Sequence, residues 1–466
     1  MVQWAVFPWS ERLYADGDEA LLTHAVAAVE NAYSNAAGGH SRFPGLTLFA
    51  TTGGNQNYVF EWKKQLFCAT DVGRLYRMTE SGAVQDVTGT PISGGKRAIF
   101  SPTDDQLLIA AGGPIIALSG DKTAILSPDA PASSHVAYID GYVIAVENDS
   151  QRFQYADPGE PTVWNPINVF SADGKADDLS ALAVTPYREL LLAGEDSVEQ
   201  FERLANGNQP FSRRWSTGEG VAYPYTFLAD KTGTYGVNKR YEFVRFFGQI
   251  SQDQSGDIGI VLEKIDDWAE AWTAEMSVKG QKFIVLQAPH ATNAYGTPGV
   301  TMLLDYRNRK WSFLYGWDAA AQLPGRWPGW STARCWGKVF VGVPGGVAAV
   351  DDKAFQAVGQ MTRFLIRSAH VGKFGPSRID DVKIQIKRGI GVYGGAEPVI
   401  GLRVNRDNLG FDQWTYEPLG LPGERNMTIH FGGQGAADTW QFEIAVSDNV
   451  AVEFVDMEIY VERLRW

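Results

Sequence analysis

The chain has 466 residues, of which 44% are hydrophobic and 20% charged, and its formal net charge is −13. This balance excludes an intrinsically disordered chain, and the length exceeds a single small core, so one large domain with a second beside it is expected. The acidic balance excludes general affinity for nucleic acid, which needs clustered Lys and Arg to displace counterions from phosphates.

An aromatic content of 12%, with 15 Trp and 50 Gly, suits many short strands joined by tight turns better than a helical bundle. The opening MVQWAVFPWSER lacks a basic region followed by a long apolar run. No stretch approaches about 18 uninterrupted apolar residues, so neither a leader nor a membrane insertion is expected, and the expectation is assembly in cytoplasm. Cys68 and Cys335 lie in apolar runs without metal-ligand spacing and read as buried thiols.

In chain order, residues 1–45 read as an arm. Leu21, Val26, Val29 and Tyr33 are spaced for at most one short amphipathic helix within it. From 46 to 358 one theme recurs: an apolar strand, a polar or Gly turn, and a second apolar strand. It is seen as KKQLFCATDVGRLYRM after Trp62, DDQLLIAAGGPIIALS after Thr103, DGYVIAVENDSQRFQYA after Ile139, YRELLLAGEDSVEQFE after Pro186 and GKVFVGVPGGVAAVD after Trp336. The turns predicted are Lys63-Lys64, Asp104-Asp105, Asp140-Gly141, Arg188-Glu189 and Gly337-Lys338. Weaker copies lie at KRYEFVRFF and GQKFIVLQA. Spacings of roughly 35 to 55 residues match four-stranded propeller blades, and six or seven blades fit the span.

Residues 260–277 break the theme. Val261, Ile265, Trp268, Trp272 and Met276 fall on one helical face, which predicts a helix between blades. Beyond residue 359 the pattern becomes strict alternation. Val382, Ile384 and Ile386 alternate with polar residues, as do Phe442, Ile444 and Val446, and the last strand places Val455, Met457, Ile459 and Val461 on one face. The fold class expected is therefore all-β, a six- or seven-bladed β-propeller followed by a C-terminal β-sandwich over 359–466. Residues 361–410 hold nine Lys or Arg against four Asp or Glu. Arg363, Arg367, Lys383, Lys387 and Arg388 mark a candidate basic assembly surface for a neighbouring copy or an acidic partner.

Chemistry-bearing motifs are absent. The sialidase-type turn S-x-D-x-G-x-T-W, the G-x-S-x-G elbow, a P-loop lysine pattern and the WD40 signature have no counterpart, and the six histidines are dispersed. DQSGDIG from Asp253 lacks the alternating ligands and closing Glu of an EF-hand. No cofactor, no metal and no catalytic residue are expected. Two alternatives remain: a propeller glycosidase or depolymerase using exposed tryptophans such as Trp327 and Trp330 as sugar platforms, and a receptor- or glycan-binding propeller without catalysis.

The segment NAYSNAAGGHSRFPGL from Asn31 leads into the first blade, and Arg42, Phe43, Pro44 and Gly45 within it resemble the lead-in motif of the packaged-DNA stabilisation, or tail hub, proteins of short-tailed phages. The similarity continues through ELLLAGEDSVEQF, GVAYPYTFLADKTGTYGV, LEKI, LLDYRNRKWSFL and VDMEIYVE, in order and spacing. The Ala-rich run Leu21 to Ala37 departs from it. The resemblance implies a structural virion protein and not an enzyme. Six copies would form a ring below the portal and head-to-tail adaptor, seal the packaged DNA and continue its exit channel. Tail fibres, spikes or a needle would attach there. Such a channel passes DNA without binding it specifically, and an acidic wall suits that passage.

Overall fold

Successive residues of a strand face opposite sides of its sheet, so a run that is apolar at every position needs cover on both sides. Leu107–Ala110 is such a run, and in the computed structural model all four residues are buried. The structure describes residues 2–6, 28–35, 39–172, 174–204, 210–372, 374–388, 397–420 and 426–464.

Cover comes from a closed ring of seven antiparallel blades, spanning 57–86, 99–125, 136–171, 179–216, 228–253, 272–313 and 331–351. The seventh takes its fourth strand, Gly45–Thr51, from before the first blade, paired antiparallel with Gly346–Asp351. Each of the seven seams between neighbouring blades holds its own hydrophobic cluster. Alternation distributes residues between seams. Leu107 and Ile109 face blade one while Leu108 and Ala110 face blade three. Likewise Tyr142, Ile144 and Val146 face blade four, and Val143 and Ala145 face blade two.

The predicted Lys63-Lys64 and Asp140-Gly141 turns reverse the chain, with positive φ at all four residues, as two-residue hairpins require. In blade seven the reversal falls one residue early, on Trp336-Gly337, because Cys335 pairs with Lys338. The predicted helix is short. After a 3₁₀ turn at Gly256–Ile258, it covers Gly259–Glu263 alone. Ile265 and Trp268 are buried in a loop held by Asp266, whose carboxylate accepts from the Thr292 amide (2.8 Å) and hydroxyl (2.7 Å). Trp272 and Met276 instead lie on the strand Trp272–Val278. Spacing of four satisfies both a helix face and a strand face, and the left-handed Glu270 (φ 56°) resets the chain between the two.

The C-terminal part of the chain is a β-sandwich closed over one core that includes Val382, Ile384, Ile386, Phe442, Ile444, Val446, Met457, Ile459 and Val461. Val455 does not share their face. A bulge opposite Gln385 and Ile386 shifts the register, so Phe454 turns inward (3% exposed) and Val455 outward (37%).

The arm is woven into both domains. Val29 lies on Ala28–Glu30 and Tyr33 on Ala32–Ser34, both strands rather than a helix, while Leu21 and Val26 fall outside the described residues. Ala28–Glu30 runs parallel to Trp311–Phe313 of blade six and antiparallel to Phe364–Arg367 of the sandwich, which fuses the two into one nine-stranded sheet. Val2–Val6 and His40–Arg42 both pair with Val452–Arg463 in the opposing sheet.

Where the fused sheet turns away from the sandwich core, its polar side chains are buried in pairs. The fully buried Glu443 accepts from Arg367 (2.7 Å) and from Arg403. Burial opposes its ionisation, but the two guanidiniums prevail and hold it below the usual carboxylate range. A folded-state pKa below the unfolded one contributes stability that is present at neutral pH and lost as pH falls through the folded value. Glu443→Gln is expected to cost about 3–5 kcal/mol at pH 7, because two guanidiniums lose their counter-charge. In urea unfolding at a series of pH values, the deficit of the variant should shrink below about pH 4. An equal deficit at every pH would remove Glu443 from the acid response.

Candidate functional site

Arg42, Phe43, Pro44 and Gly45 form the junction where the arm becomes the closing strand of the ring. Arg42 is 2% exposed. Its Nη1 donates to the carbonyls of Val450 (3.0 Å) and Asp448, and its Nη2 to those of Phe355 (3.3 Å) and Thr362. Those acceptors lie in the sandwich and in the connector that leaves blade seven, so one guanidinium ties both to the arm. Burial pulls the Arg42 pKa down to about 9, with partial relief from Asp448. Phe43 packs edge-on against Tyr33 and Phe283 at 6.3 and 6.2 Å. Pro44 follows the strand His40–Arg42, where a residue without an amide hydrogen forfeits no ladder bond. Gly45 donates to the Ala354 carbonyl (2.6 Å), and a Cβ on it would stand 2.3 Å from the Gln356 carbonyl oxygen.

The five basic residues marked in the sequence occupy different settings. Arg363 reaches Glu30 (3.2 Å) and Tyr295 Oη (2.6 Å), and Tyr295 donates to Glu30 (2.5 Å). Burial and then Glu30 push the Tyr295 phenol far above its ordinary value, so it stays a neutral donor. Arg363 and Arg367 thus serve the propeller–sandwich junction, and their charge is spent internally. Lys383 and Lys387 lie on the outward face of the opposing sheet, paired with Glu458 (2.6 Å) and Glu453 (3.0 Å). Arg388 ends the strand Ser377–Arg388, and its side chain falls outside the described residues. Sequence reading missed Glu30, Tyr295 and Glu443, whose partners are far away along the chain.

A second cluster gathers at the leading ends of the blades' first strands. These strands touch one another from blade two through blade seven to blade one and surround the propeller axis. Arg97 lies over the rings of Tyr58 (4.8 Å) and Trp272 (4.9 Å) and donates to the Trp330 carbonyl (2.5 Å). His135, which leads into blade three, stacks at 5.6 Å on Tyr225 from the turn before blade five. These residues reach across from six blades and fill this end of the axis with side chains. Enclosure by protein lowers the Arg97 pKa to about 10 and that of His135 to about 3, so His135 is neutral at physiological pH. The carboxylate here, Glu270, accepts from Gln56 (2.8 Å) and lies 3.0 Å from His290 Nε2. Trp327 (3% exposed) and Trp330 (5%) are packed into seams and are not available as sugar platforms, which removes the feature on which the glycosidase alternative rested. Among the described residues, no group of three or more His, Cys, Asp or Glu is placed to hold a metal ion.

A closed propeller, fused to a sandwich through a shared sheet, makes this an all-β propeller protein. Residues 22–363 match the phage stabilisation family described as bacteriophage P22 Gp10, beta-propeller, and the chain belongs to that family. It is a structural family of virion components. A comparison with curated proteins gives no match. Among solved structures, the chain is similar to a streptogramin B lyase, with 9% identity, a TM-score of 0.44 and coverage of 66% of this chain and 97% of that one. It is also similar to virginiamycin B lyase from Staphylococcus aureus, with 8% identity, a TM-score of 0.41 and coverage of 63% and 94%. BamB from Moraxella catarrhalis gives 13% identity, a TM-score of 0.38 and coverage of 75% and 95%. Likenesses this low carry nothing about activity.

Two substitutions test the junction. Arg42→Met is expected to cost about 3 kcal/mol or more, since it strips a donor from several buried carbonyls. Gly45→Ala is expected to destabilise by a clash that Arg42→Met lacks, loosening the closing strand first. Amide hydrogen exchange at Gly346–Asp351 reads this loosening, and unchanged protection there in Gly45→Ala would refute it.

Proposed function

We propose that this chain is the ring-forming hub of a short phage tail, in which about six copies assemble below the portal and adaptor, seal packaged DNA and continue its exit channel. Membership in the phage stabilisation family is the observation that carries this reading. The filled axis supports one feature of it: a path for DNA must run between copies, not along the axis of one propeller. The fused sheet supports another, because propeller and sandwich move as one block and a contact made by either positions both.

Charge fits the same role. Six copies at −13 each give a ring of about −78, and an acidic wall repels phosphates, so DNA slides without adhering. The outward lysines Lys383 and Lys387, with Arg388 at the end of their strand, are the proposed assembly face toward a neighbouring copy or an acidic adaptor. Arg363 and Arg367 drop out of that face because their charges are used internally. Fibres, spikes or a needle would attach to the ring from outside.

Light scattering and negative-stain imaging of the purified chain, alone and mixed with a phage portal–adaptor complex, test the proposal. A ring of about six copies on the adaptor is expected, and Lys383→Glu combined with Lys387→Glu should weaken its assembly while the protomer stays folded. A protomer that ignores the adaptor and stays single at high concentration would overturn the hub reading.

A further inference from the structure

The hydrophobic cluster between blades four and five does not fill its whole seam. Ala193 and Val198 of blade four meet Val244 and Phe246 of blade five there, with Trp215 packed against them. Leu191 and Gln200 stand two residues from Ala193 and Val198 and so share their faces. Leu191, Gln200 and Trp215 are paired directly across three neighbouring strands, which makes one row of side chains toward blade five. This row lines a cavity of about 250 Å³, together with Glu189 and Arg214 of blade four and Thr234 and Phe246 of blade five.

Polar groups are built into this cavity. Gln200 is only 2% exposed. Its Nε2 donates to Glu189 Oε1 (2.7 Å), and Glu189 Oε2 accepts from the Thr185 hydroxyl (3.1 Å). Among the described residues nothing donates to Gln200 Oε1, and the Trp215 indole nitrogen and the Thr234 hydroxyl have no hydrogen-bond partner. None of these three atoms is sealed off, since each keeps accessible surface. Neighbours on a regular strand face opposite ways, yet Arg214 and Trp215 both line the cavity. A bulge explains this: Gln200 pairs with Trp215 and Phe201 with Arg213, which leaves Arg214 as the extra residue. Glu189 and Arg214 bring opposite charges, and among the described residues neither is in an ion pair.

We propose that this cavity binds one pyranose ring of a glycan. Sugar hydroxyls both donate and accept, so a neutral ring meets the amide oxygen, the carboxylate, the hydroxyl, the indole and the guanidinium together. A cationic guest would suit Glu189 and be repelled by Arg214, and an anionic guest the reverse. The C–H faces of a pyranose match the apolar walls that Leu191, Trp215 and Phe246 supply. Water meets the polar atoms but gains nothing from those walls. The volume is below the roughly 300 Å³ at which drug-sized ligand pockets begin, which admits a single ring. The site lies in a different seam from Trp327 and Trp330, and the inference does not depend on the hub reading.

Saturation-transfer NMR and tryptophan fluorescence of the full chain test the site, with methyl glucoside, methyl galactoside, methyl mannoside and N-acetylglucosamine as probes and glycerol and N-acetyl-argininamide as controls. Saturable binding of at least one pyranose is expected, with no comparable binding of glycerol or of the argininamide. Trp215→Ala should weaken it at least about tenfold and Trp215→Phe, which keeps a ring, by less. Gln200→Leu, which removes the buried amide and keeps the bulk, should also weaken it at least about tenfold. If one of these variants fails to fold, the other carries the test with the comparison against the controls. No saturation with any pyranose, equal or tighter binding of glycerol or the argininamide, or unchanged affinity in a folded Trp215→Ala or Gln200→Leu would overturn the proposal.

Discussion

The whole molecule depends on where the chain closes its ring. A propeller blade is apolar on both faces, so an open arc would leave two blade faces in water, and closure requires one strand from the beginning of the chain to complete the last blade. Gly45–Thr51 does this. The arm must therefore arrive at blade seven just where the chain leaves for the sandwich, and three segments crowd together with unpaired carbonyls among them. Arg42 answers that crowding, since a guanidinium has five donors and none of its own oxygens to satisfy. A hydrophobic residue of similar size would fill the space and leave the carbonyls unbonded.

The same crowding explains why the two domains are not separate bodies. A strand with free edges on both sides invites pairing, and Ala28–Glu30 has blade six on one edge and the sandwich on the other. Three residues of backbone ladder are weak cement. The buried set formed by Glu30, Tyr295 and Arg363 reinforces it, each member meeting another's hydrogen-bonding need in a setting where an unpaired charge would be severely penalised.

How much of this the sequence reveals follows from the range of each interaction. The blades were legible because a two-sided strand writes itself as an unbroken apolar run, as in QLLIAA and YVIAV, and the sandwich because a one-sided strand alternates. The helix over 260–277 was misread because Trp268, Trp272 and Met276 repeat at four, which a strand tolerates equally well. Val455 was placed on the wrong face because a bulge changes parity without any mark in the residues themselves. The arm strands Ala28–Glu30, Ala32–Ser34 and His40–Arg42, three residues each, are too short to display a period. The basic cluster over 361–410 was visible as charge but not as bonding. Glu30 lies 333 residues from Arg363 and Glu443 lies 76 from Arg367, and composition has no means of joining them.

Charge placement would give the proposed assembly a physical logic that a single protomer lacks. Within the junction Glu30 and Glu443 are outnumbered by Arg363, Arg367 and Arg403, so the negative excess of the chain belongs to the surface and would sum in the proposed assembly. In the proposed ring, repulsion between like-charged protomers would work against assembly, and Lys383 and Lys387, each paired with a glutamate of the neighbouring strand, would be cations for an acidic surface to meet. Both lysines already lean on glutamates of the next strand, the Lys387 pair exposed and the Lys383 pair half-buried. In the proposed ring a neighbouring acidic surface would compete for them, which would make the same residues acceptable on a free protomer and useful in assembly.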